Sequence, residues 1–218
     1  MAWTSRPASS IASCRRPRHI PPHRSRRRVA SLRRTTSCSR ITTRMSLGLV
    51  VLGAASLAAN GADAEAIIDK VEAIRPYVQT YFSVATLEFL RRGGRIGRAS
   101  AMLGSVLQVK PVLCIRDGVV EPLERVRTFE RALNRIIELA KAVDRGKGVC
   151  AVVGHADAEK DAQKVGKALE PIAETLMIQP LGPVVGAHGG PGVVGVGCYP
   201  ADLLPLGIKT SRTGASAT

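Results

Sequence analysis

The 218-residue chain has little of what several functional classes need. It contains one Trp, three Tyr and three Phe, so aromatic platforms for stacking single-stranded nucleic acid are scarce. Its five cysteines are an odd number without a C-x-x-C pair, which argues against a disulfide framework or a zinc site. Cys114, Cys150 and Cys198 stand in apolar runs. We expect these three to be buried, unreactive thiols in a reducing compartment.

Negative charge is missing from one end of the chain. Residues 1–44 hold twelve Arg but no Lys, Asp or Glu, whereas the whole chain carries a formal charge of +15. Residues 45–218 therefore carry only +3, from 20 basic and 17 acidic residues, which is ordinary for a globular domain. The Arg, Ser and Pro content of 1–44 predicts a disordered lead-in. We also expect a disordered tail over 207–218, and no nucleic-acid binding by the body of the chain.

Three interpretations of the lead-in are open. The apolar run that follows Met45 superficially completes a secretory signal, and an Arg-rich, acid-free segment also suits a transit peptide. A basic arm could instead bind nucleic acid or an anionic surface, with a steep dependence on salt. Arg, Ser, Pro and Ala without Lys, Asp or Glu are also what GC-rich DNA yields when it is read in the wrong frame.

Hydrophobic periodicity predicts helices that alternate with strands after Met45. Leu47 to Ala59 fits a helix closed by Asn60 and Gly61, and Asp63 can cap a second helix that Pro76 ends. Two strands about Asp117-Gly118 form the strongest hairpin signal in the chain. Further helices are expected at 86–92, 100–108, 128–143 and 157–172. Further strands are expected at 80–85, 149–154 and 192–200, with a short strand or an extended connection at 175–182. This alternation with one hairpin indicates an α/β domain with a mixed sheet.

Three segments then carry a family resemblance. TLEFLRRGGRIGRASAMLGSVLQVKPVL, RDGVVEPLERVRT and GPVVGAHGGPGVVGVG follow one another in this order, and together they resemble the C-terminal part of the DegV family. That family comprises two-domain bacterial proteins that bind one fatty acid between the domains and present its carboxylate to a fatty-acid kinase. The resemblance runs from about Ser46 to Leu204, and three separate blocks make it specific.

The resemblance also implies that a domain is largely missing. Family members begin with a parallel-stranded domain that holds an Asp-Ser motif and carboxylate-binding Ser and Thr residues, and none of these precedes Met45. We therefore expect remnant helices of that N-terminal domain over 45–76 and a DegV-type α/β domain with a mixed sheet over 77–206. The abrupt start of the resemblance favours a wrong frame or a misplaced start for 1–44. It also implies a cytoplasmic protein, a truncated product, without a membrane span.

The resemblance assigns site residues. His188 stands between small residues in what we expect to be a turn, and the family's His in this motif contacts the carboxylate. Gly189 departs from the family's usual Thr, which removes one hydroxyl near the head group. Arg95 is implied at the pocket mouth, where it could meet an acyl phosphate or the kinase. Arg125 and Arg127 occupy the family's basic stretch, although exposed strand-end charges explain them equally well. The glycines expected to shape these turns are Gly93, Gly94, Gly189, Gly190 and Gly192.

Signals for catalysis are weak. Ser100 and Ser105 have no candidate base beside them in sequence, and no phosphate-binding G-x-x-x-x-G-K-[ST] loop occurs. We expect a non-catalytic subunit that carries a long-chain fatty acid for a fatty-acid kinase, without a metal or a cofactor. Apolar side chains would cover the acyl chain, each buried methylene contributing about 0.8 kcal/mol, while polar groups fix the carboxylate.

Overall fold

The computed structural model describes residues 44–103 and 109–206. The helices are α1 (Arg44–Ala59), α2 (Ala64–Ile74), α3 (Glu88–Arg92), α4 (Phe129–Lys141), α5 (Glu159–Leu169) and α6 (Pro183–Gly189). The strands are β1 (Gln79–Ser83), β2 (Lys110–Arg116), β3 (Val119–Val126), β4 (Val149–Ala156), β5 (Ala173–Pro180) and β6 (Val193–Pro200). Short 3-10 helices cover Arg75–Tyr77, Gly97–Met102 and Glu170–Ile172. The predicted α/β fold is confirmed.

The strands form a six-stranded mixed sheet in the order β3-β2-β1-β6-β4-β5. Strands β1, β2 and β3 make an antiparallel half. In the other half β4 and β5 are parallel, joined through α5, and β6 is antiparallel to β4. The antiparallel pairing of β1 with β6, from Gln79 opposite Cys198 to Ser83 opposite Val194, joins the two halves. The last strand of the chain, β6, therefore lies in the interior of the sheet and connects its two halves.

Local signals set the helix and turn boundaries. The Asp63 side chain accepts a hydrogen bond of 2.8 Å from the Ala66 backbone N–H, which caps α2. Thr128 caps α4 in the same way. Asp117 and Gly118 have φ values of 50° and 79°, as a two-residue type I′ hairpin turn between β2 and β3 requires. Each of these boundaries agrees with the expectation from sequence.

Helices cover both faces of the sheet, but they cover them differently. On one face α4 and α5 pack over a continuous core to which β4 and β6 contribute their inward residues, namely Val149, Ala151, Val153, Val194, Val196 and Cys198. On the other face the buried residues form two clusters. One joins α1 and α2 to β4 and β6, and the other joins α3 and the Gly97–Met102 helix to β1, β2 and β3. The boundary between these clusters is where the candidate site lies.

Two predictions of local structure are wrong. His188 and Gly189 were expected in a turn, but they form the end of α6, a helix that starts at Pro183 and is closed by the Gly190 N–H on the Gly186 carbonyl at 2.7 Å. A helix was expected over 100–108, whereas a 3-10 helix spans Gly97–Met102 and residues 104–108 lie outside the described residues. The disordered lead-in was expected over 1–44, but Arg44 begins α1. The predictions for 1–43 and for the tail over 207–218 fall outside the described residues. The domain boundary at 76/77 stays a prediction, although α1 shares a core with β4 and β6.

The three cysteines of the described residues are buried and free, as expected from their apolar neighbours. Burial raises the pKa of Cys150 to about 11 and that of Cys198 to about 12, and it also raises the pKa of Cys114. Within the described residues, no helix has the length and apolar character needed to cross a membrane.

In a Cys14→Ser/Cys38→Ser background, the three buried thiols are expected to resist a disulfide reagent such as DTNB at pH 8 and to react fully after unfolding. Because their pKa values are raised in the folded state, the unfolded chain releases these protons first as the pH rises. The free energy of unfolding should therefore fall between about pH 9 and pH 11. Rapid labelling of the folded protein would contradict this burial.

Candidate ligand-binding site

A pocket of about 310 Å³ lies on the sheet face between the two smaller clusters. Most of its lining is apolar, and the polar or charged side chains among it are those of Thr80, Arg95 and His188. The remaining lining residues are Met45, Phe82, Leu90, Ile115, Gly118, Val120, Leu181, Val184, Val185, Gly189, Val193 and Gly195. The pocket is thus shaped for a ligand that is mainly hydrocarbon and carries a polar end.

The strand order gives the length of this pocket. Val120 belongs to β3, and Met45 at the other side lies against Gly154 of β4. The lining strands run from β3 to β6 and Met45 lies over β6 and β4, so three to four inter-strand spacings, roughly 14–19 Å at 4.7–4.9 Å per spacing, span the pocket. The pocket therefore runs across the strands rather than into a single point of the core.

His188 is held by close packing against α3. A β-carbon on Gly93 would lie only 2.1 Å from His188 Nδ1, so the ring fits because Gly93 has no side chain. His188 Nδ1 is buried and has no hydrogen-bond partner within the described ranges. A proton on this nitrogen would be an unpaired buried donor, which costs about 1–3 kcal/mol. With its proton on Nε2 the imidazole avoids this cost, and Nε2 can then donate a hydrogen bond.

Arg95 follows the glycine pair that ends α3. The Arg95 backbone N–H donates to the Leu90 carbonyl at 2.9 Å, which closes the helix and directs the chain toward β3. The Arg95 side chain is exposed, lines the pocket and has no ion pair among the described residues. This guanidinium is therefore available to a negative group at the pocket opening.

The neighbouring arginines are engaged with carboxylates. Arg91 and Arg92 both contact Glu88, at 2.6 and 2.7 Å, and their hydrogen bonds lower the pKa of Glu88 to about 2. Arg98 and Arg116 both pair with Glu121. These side chains add to the positive field of this edge, but their charges are partly balanced. Arg95 is distinguished from them by its position on the pocket.

The structure does not bring Arg125 and Arg127 to the pocket. Val120 lines the pocket near the start of β3, whereas Arg125 lies five residues further along the strand, about 17 Å away at 3.3–3.4 Å per residue. Arg125 donates to the Ala101 carbonyl at 3.2 Å, and Arg127 is exposed beyond the strand end. A contact of these two residues with a partner protein stays a prediction.

The glycines named from sequence lie around His188 and α3. Gly189 is buried and lines the pocket, and a β-carbon there would lie 3.1 Å from Val193 Cγ1. Gly190 packs on the ring of Phe89, and Gly192 packs on Ala85. Gly94 has a positive φ and open space around it. Except for Gly94, these positions allow α3, α6 and β6 to approach one another closely.

Sequence reasoning missed the pocket floor. Thr80, Phe82 and Gly195 come from the two middle strands, and Thr80 shares a hydrogen bond of 2.6 Å with Ser46 of α1. A signal was present in the alternation of Gly195 and Gly197 along β6, because glycine in a strand interior often marks the close approach of another group. Without the strand order, the sequence does not indicate that Met45 and Ser46 of α1 are the residues that approach these glycines.

The fold and the pocket together indicate a ligand-binding protein. An α/β sheet carries an elongated apolar pocket, with the His188 imidazole and the unpaired Arg95 guanidinium on its lining. The described residues contain no group of three or more His, Cys, Asp or Glu side chains placed to hold a metal ion. The arrangement suits the binding of an amphipathic anion.

The comparisons identify the family. The protein-family model described as "Uncharacterised protein, DegV family" matches residues 39–201 of the sequence. The chain therefore belongs to the DegV family. The match confirms the resemblance and extends it into residues 39–44, which sequence analysis assigned to the lead-in.

Relatives and solved structures agree with this assignment. A DegV domain-containing protein of Streptomyces coelicolor is 40% identical over 155 residues, which cover 70% of this chain and 55% of the relative. A structure titled as fatty-acid binding of a DegV family protein from Thermus thermophilus has 35% identity and a TM-score of 0.67, covering 71% of this chain and 56% of that one. The structure of DegV from Bacillus subtilis, titled a fatty acid binding protein, has 36% identity, a TM-score of 0.60 and coverages of 70% and 56%. The chain spans about half the length of these relatives.

Proposed function

We propose that this chain binds a long-chain fatty acid in the pocket, with the carboxylate toward His188 and Arg95. The observation that carries the proposal is the combination of an elongated apolar lining with an unpaired guanidinium and a donor imidazole on the same pocket. The solved relatives from Thermus thermophilus and Bacillus subtilis, titled as fatty-acid-binding proteins, support this ligand class.

The role that fits this site is carriage rather than catalysis. His188 and Arg95 can hold a carboxylate, but the pocket lining includes no nucleophile with a base beside it. A cytoplasmic fatty-acid kinase would then transfer the γ-phosphoryl group of ATP to the presented carboxylate. Arg95 at the exposed opening would contact the acyl phosphate or the kinase.

The pocket is partly open in this chain. Val184 lines it and is 52% exposed, and Arg95 and Gly118 are also exposed. Methylenes at this opening stay partly in water, so they contribute less than the roughly 0.8 kcal/mol of a fully buried methylene. We therefore expect weak binding by the 218-residue chain.

The proposal is tested by displacing a fluorescent fatty acid from the chain. Palmitate should displace the probe better than hexadecanol, because the alcohol has the same chain but no negative charge for Arg95 and His188. An Arg95→Gln variant should reduce this difference, whereas Arg127→Gln, which changes an exposed arginine away from the pocket, should preserve it. No displacement by either ligand, or equal displacement by both, would contradict the proposed site. Acyl-phosphate formation on addition of a bacterial fatty-acid kinase and ATP tests the role as carrier.

A further inference from the structure

Two glycines face each other across β4 and β6 beside the pocket. Gly154 and Gly195 are direct partners in this antiparallel pairing. The missing side chains leave a notch on the sheet face, and Gly197, the next β6 residue on that face, is covered by Ser46. Met45, near the start of α1, occupies the notch. A β-carbon on Gly154 would lie 2.1 Å from Met45 Sδ, and one on Gly195 would lie 3.4 Å from Met45 Cε.

Met45 is also part of the pocket wall. It lines the pocket together with Gly195 and Leu181, and it is 7% exposed. Leu181 borders the same notch, since a β-carbon on Gly154 would lie 2.6 Å from its Cδ2. On the β4 side, the pocket wall is therefore the flexible Met45 thioether, which lies in the Gly154–Gly195 notch beside Leu181. Methionine is unbranched and can change its conformation without breaking a hydrogen bond.

The two sides of the pocket differ in chemistry. Arg95 lies toward β3, since the 3-10 helix that follows it packs on Val119 and Val120. Met45 lies over β4 and β6. A ligand whose carboxylate is held at Arg95 would direct its hydrocarbon end across the sheet toward Met45. If the charged end is held in one position, a side chain at the other end limits the length of acyl chain that fits.

We propose that Met45, seated on the Gly154–Gly195 notch, sets the length of the acyl chain that the pocket accepts. This inference rests on the proposed function. Acids too short to reach Met45 gain about fourfold in affinity for each added methylene that is buried. Longer acids gain nothing further unless the thioether moves. Met45 is thus a specificity-determining residue for chain length.

The test compares the 218-residue chain with its Met45→Ala variant. Saturated acids of 12, 14, 16, 18 and 20 carbons displace a fluorescent fatty acid, and affinity is followed against chain length. The affinity of the unaltered chain should rise and then level off. Met45→Ala removes three heavy atoms from the wall. The affinity should therefore stop rising at an acid about two carbons longer than for the unaltered chain. The longest acids should then bind the variant about fifteenfold more tightly, as two more buried methylenes predict.

Two further variants control for general effects of packing. Gly154→Ala places a methyl group against Met45 Sδ, which should push the thioether into the pocket and move the levelling point to shorter acids. Met102→Ala removes another buried methionine, 4% exposed, that does not line the pocket. It should leave the levelling point unchanged.

The outcomes separate this inference from the proposed function. The same levelling point in the unaltered chain and in Met45→Ala would overturn the role of Met45 while fatty-acid binding stands. If none of the acids displaces the probe, the proposed function itself fails. Should Met45→Ala not fold, the Met45 methyl resonance of the unaltered chain decides. It should shift with an 18-carbon acid and stay in place with a 12-carbon acid, and an unmoved resonance with the longer acid bound would overturn the inference.

Discussion

Replacing Gly190 by alanine is expected to lower the free energy of unfolding by about 2–4 kcal/mol. Gly190 has a φ of 78°, a conformation that an alanine adopts only with strain. In addition, its new β-carbon would lie 2.3 Å from Cδ2 of the Phe89 ring. Relieving this overlap requires α3 or the end of α6 to move. Chemical denaturation monitored by circular dichroism measures the loss.

Gly186→Ala is the matched control for this prediction. Gly186 lies within α6, the helix that Gly190 ends, and a β-carbon there would meet Cβ of Ala156 at 3.8 Å, an ordinary contact. Because alanine favours a helix interior over glycine by up to about 1 kcal/mol, this variant should be neutral or stabilising. If Gly190→Ala is as stable as Gly186→Ala, the close packing of α3 on Gly190 is not required for the fold.

Removing the imidazole of His188 is expected to weaken fatty-acid binding by roughly one to two orders of magnitude. His188→Ala deletes the proposed hydrogen bond to a charged group, worth about 1.5–3 kcal/mol, on the pocket that Arg95 also lines. His188→Gln, whose amide can still donate, should recover part of the affinity. Displacement of a fluorescent fatty acid measures both variants, and an affinity unchanged by His188→Ala would place the carboxylate elsewhere.

Gly93→Ala tests whether the position of the ring matters as well as its presence. The new methyl group would overlap His188 Nδ1, so the ring must leave its place on α3 while its chemistry stays intact. Affinity should therefore fall toward that of His188→Ala. Gly48→Ala adds a methyl group in α1 where nothing lies within 4 Å, and it should bind as the unaltered chain does.

The elements that sequence predicted well are those whose boundaries depend on neighbouring residues. Asp63 caps the helix that it begins, and Asp117-Gly118 turns the strands on either side of it. The helix α6 was missed because its sequence is rich in glycine, which disfavours a helix in isolation. What holds α6 is its packing on α3, where His188 meets Gly93. That contact joins segments almost a hundred residues apart and has no signal in local sequence.

For the site, too, sequence identified the residues that stand in motifs and missed those that only the fold brings together. His188 and Arg95 could be named because they stand in motifs that resemble those of a known family, and both lie on one pocket. Arg125 was named with them because it occupies the family's basic stretch after the hairpin, yet a strand of eight residues carries it away from the pocket. Met45 and Gly154 could not be paired from sequence, because their contact depends on how α1 lies on β4. Strand order, not residue type, decides these positions.

The central place of β6 has a consequence for the synthesis of the chain. Strands β1 and β4 leave the ribosome before β6 does, and both of their inner edges stay unpaired until β6 arrives between them. The partners in the β1–β6 pairing, such as Phe82 and Gly195, are also distant in sequence, and long-range pairings form slowly. A nascent chain therefore exposes two strand edges, a state prone to association with other chains. Chaperones that cover such edges would act on this protein until Pro200 has emerged.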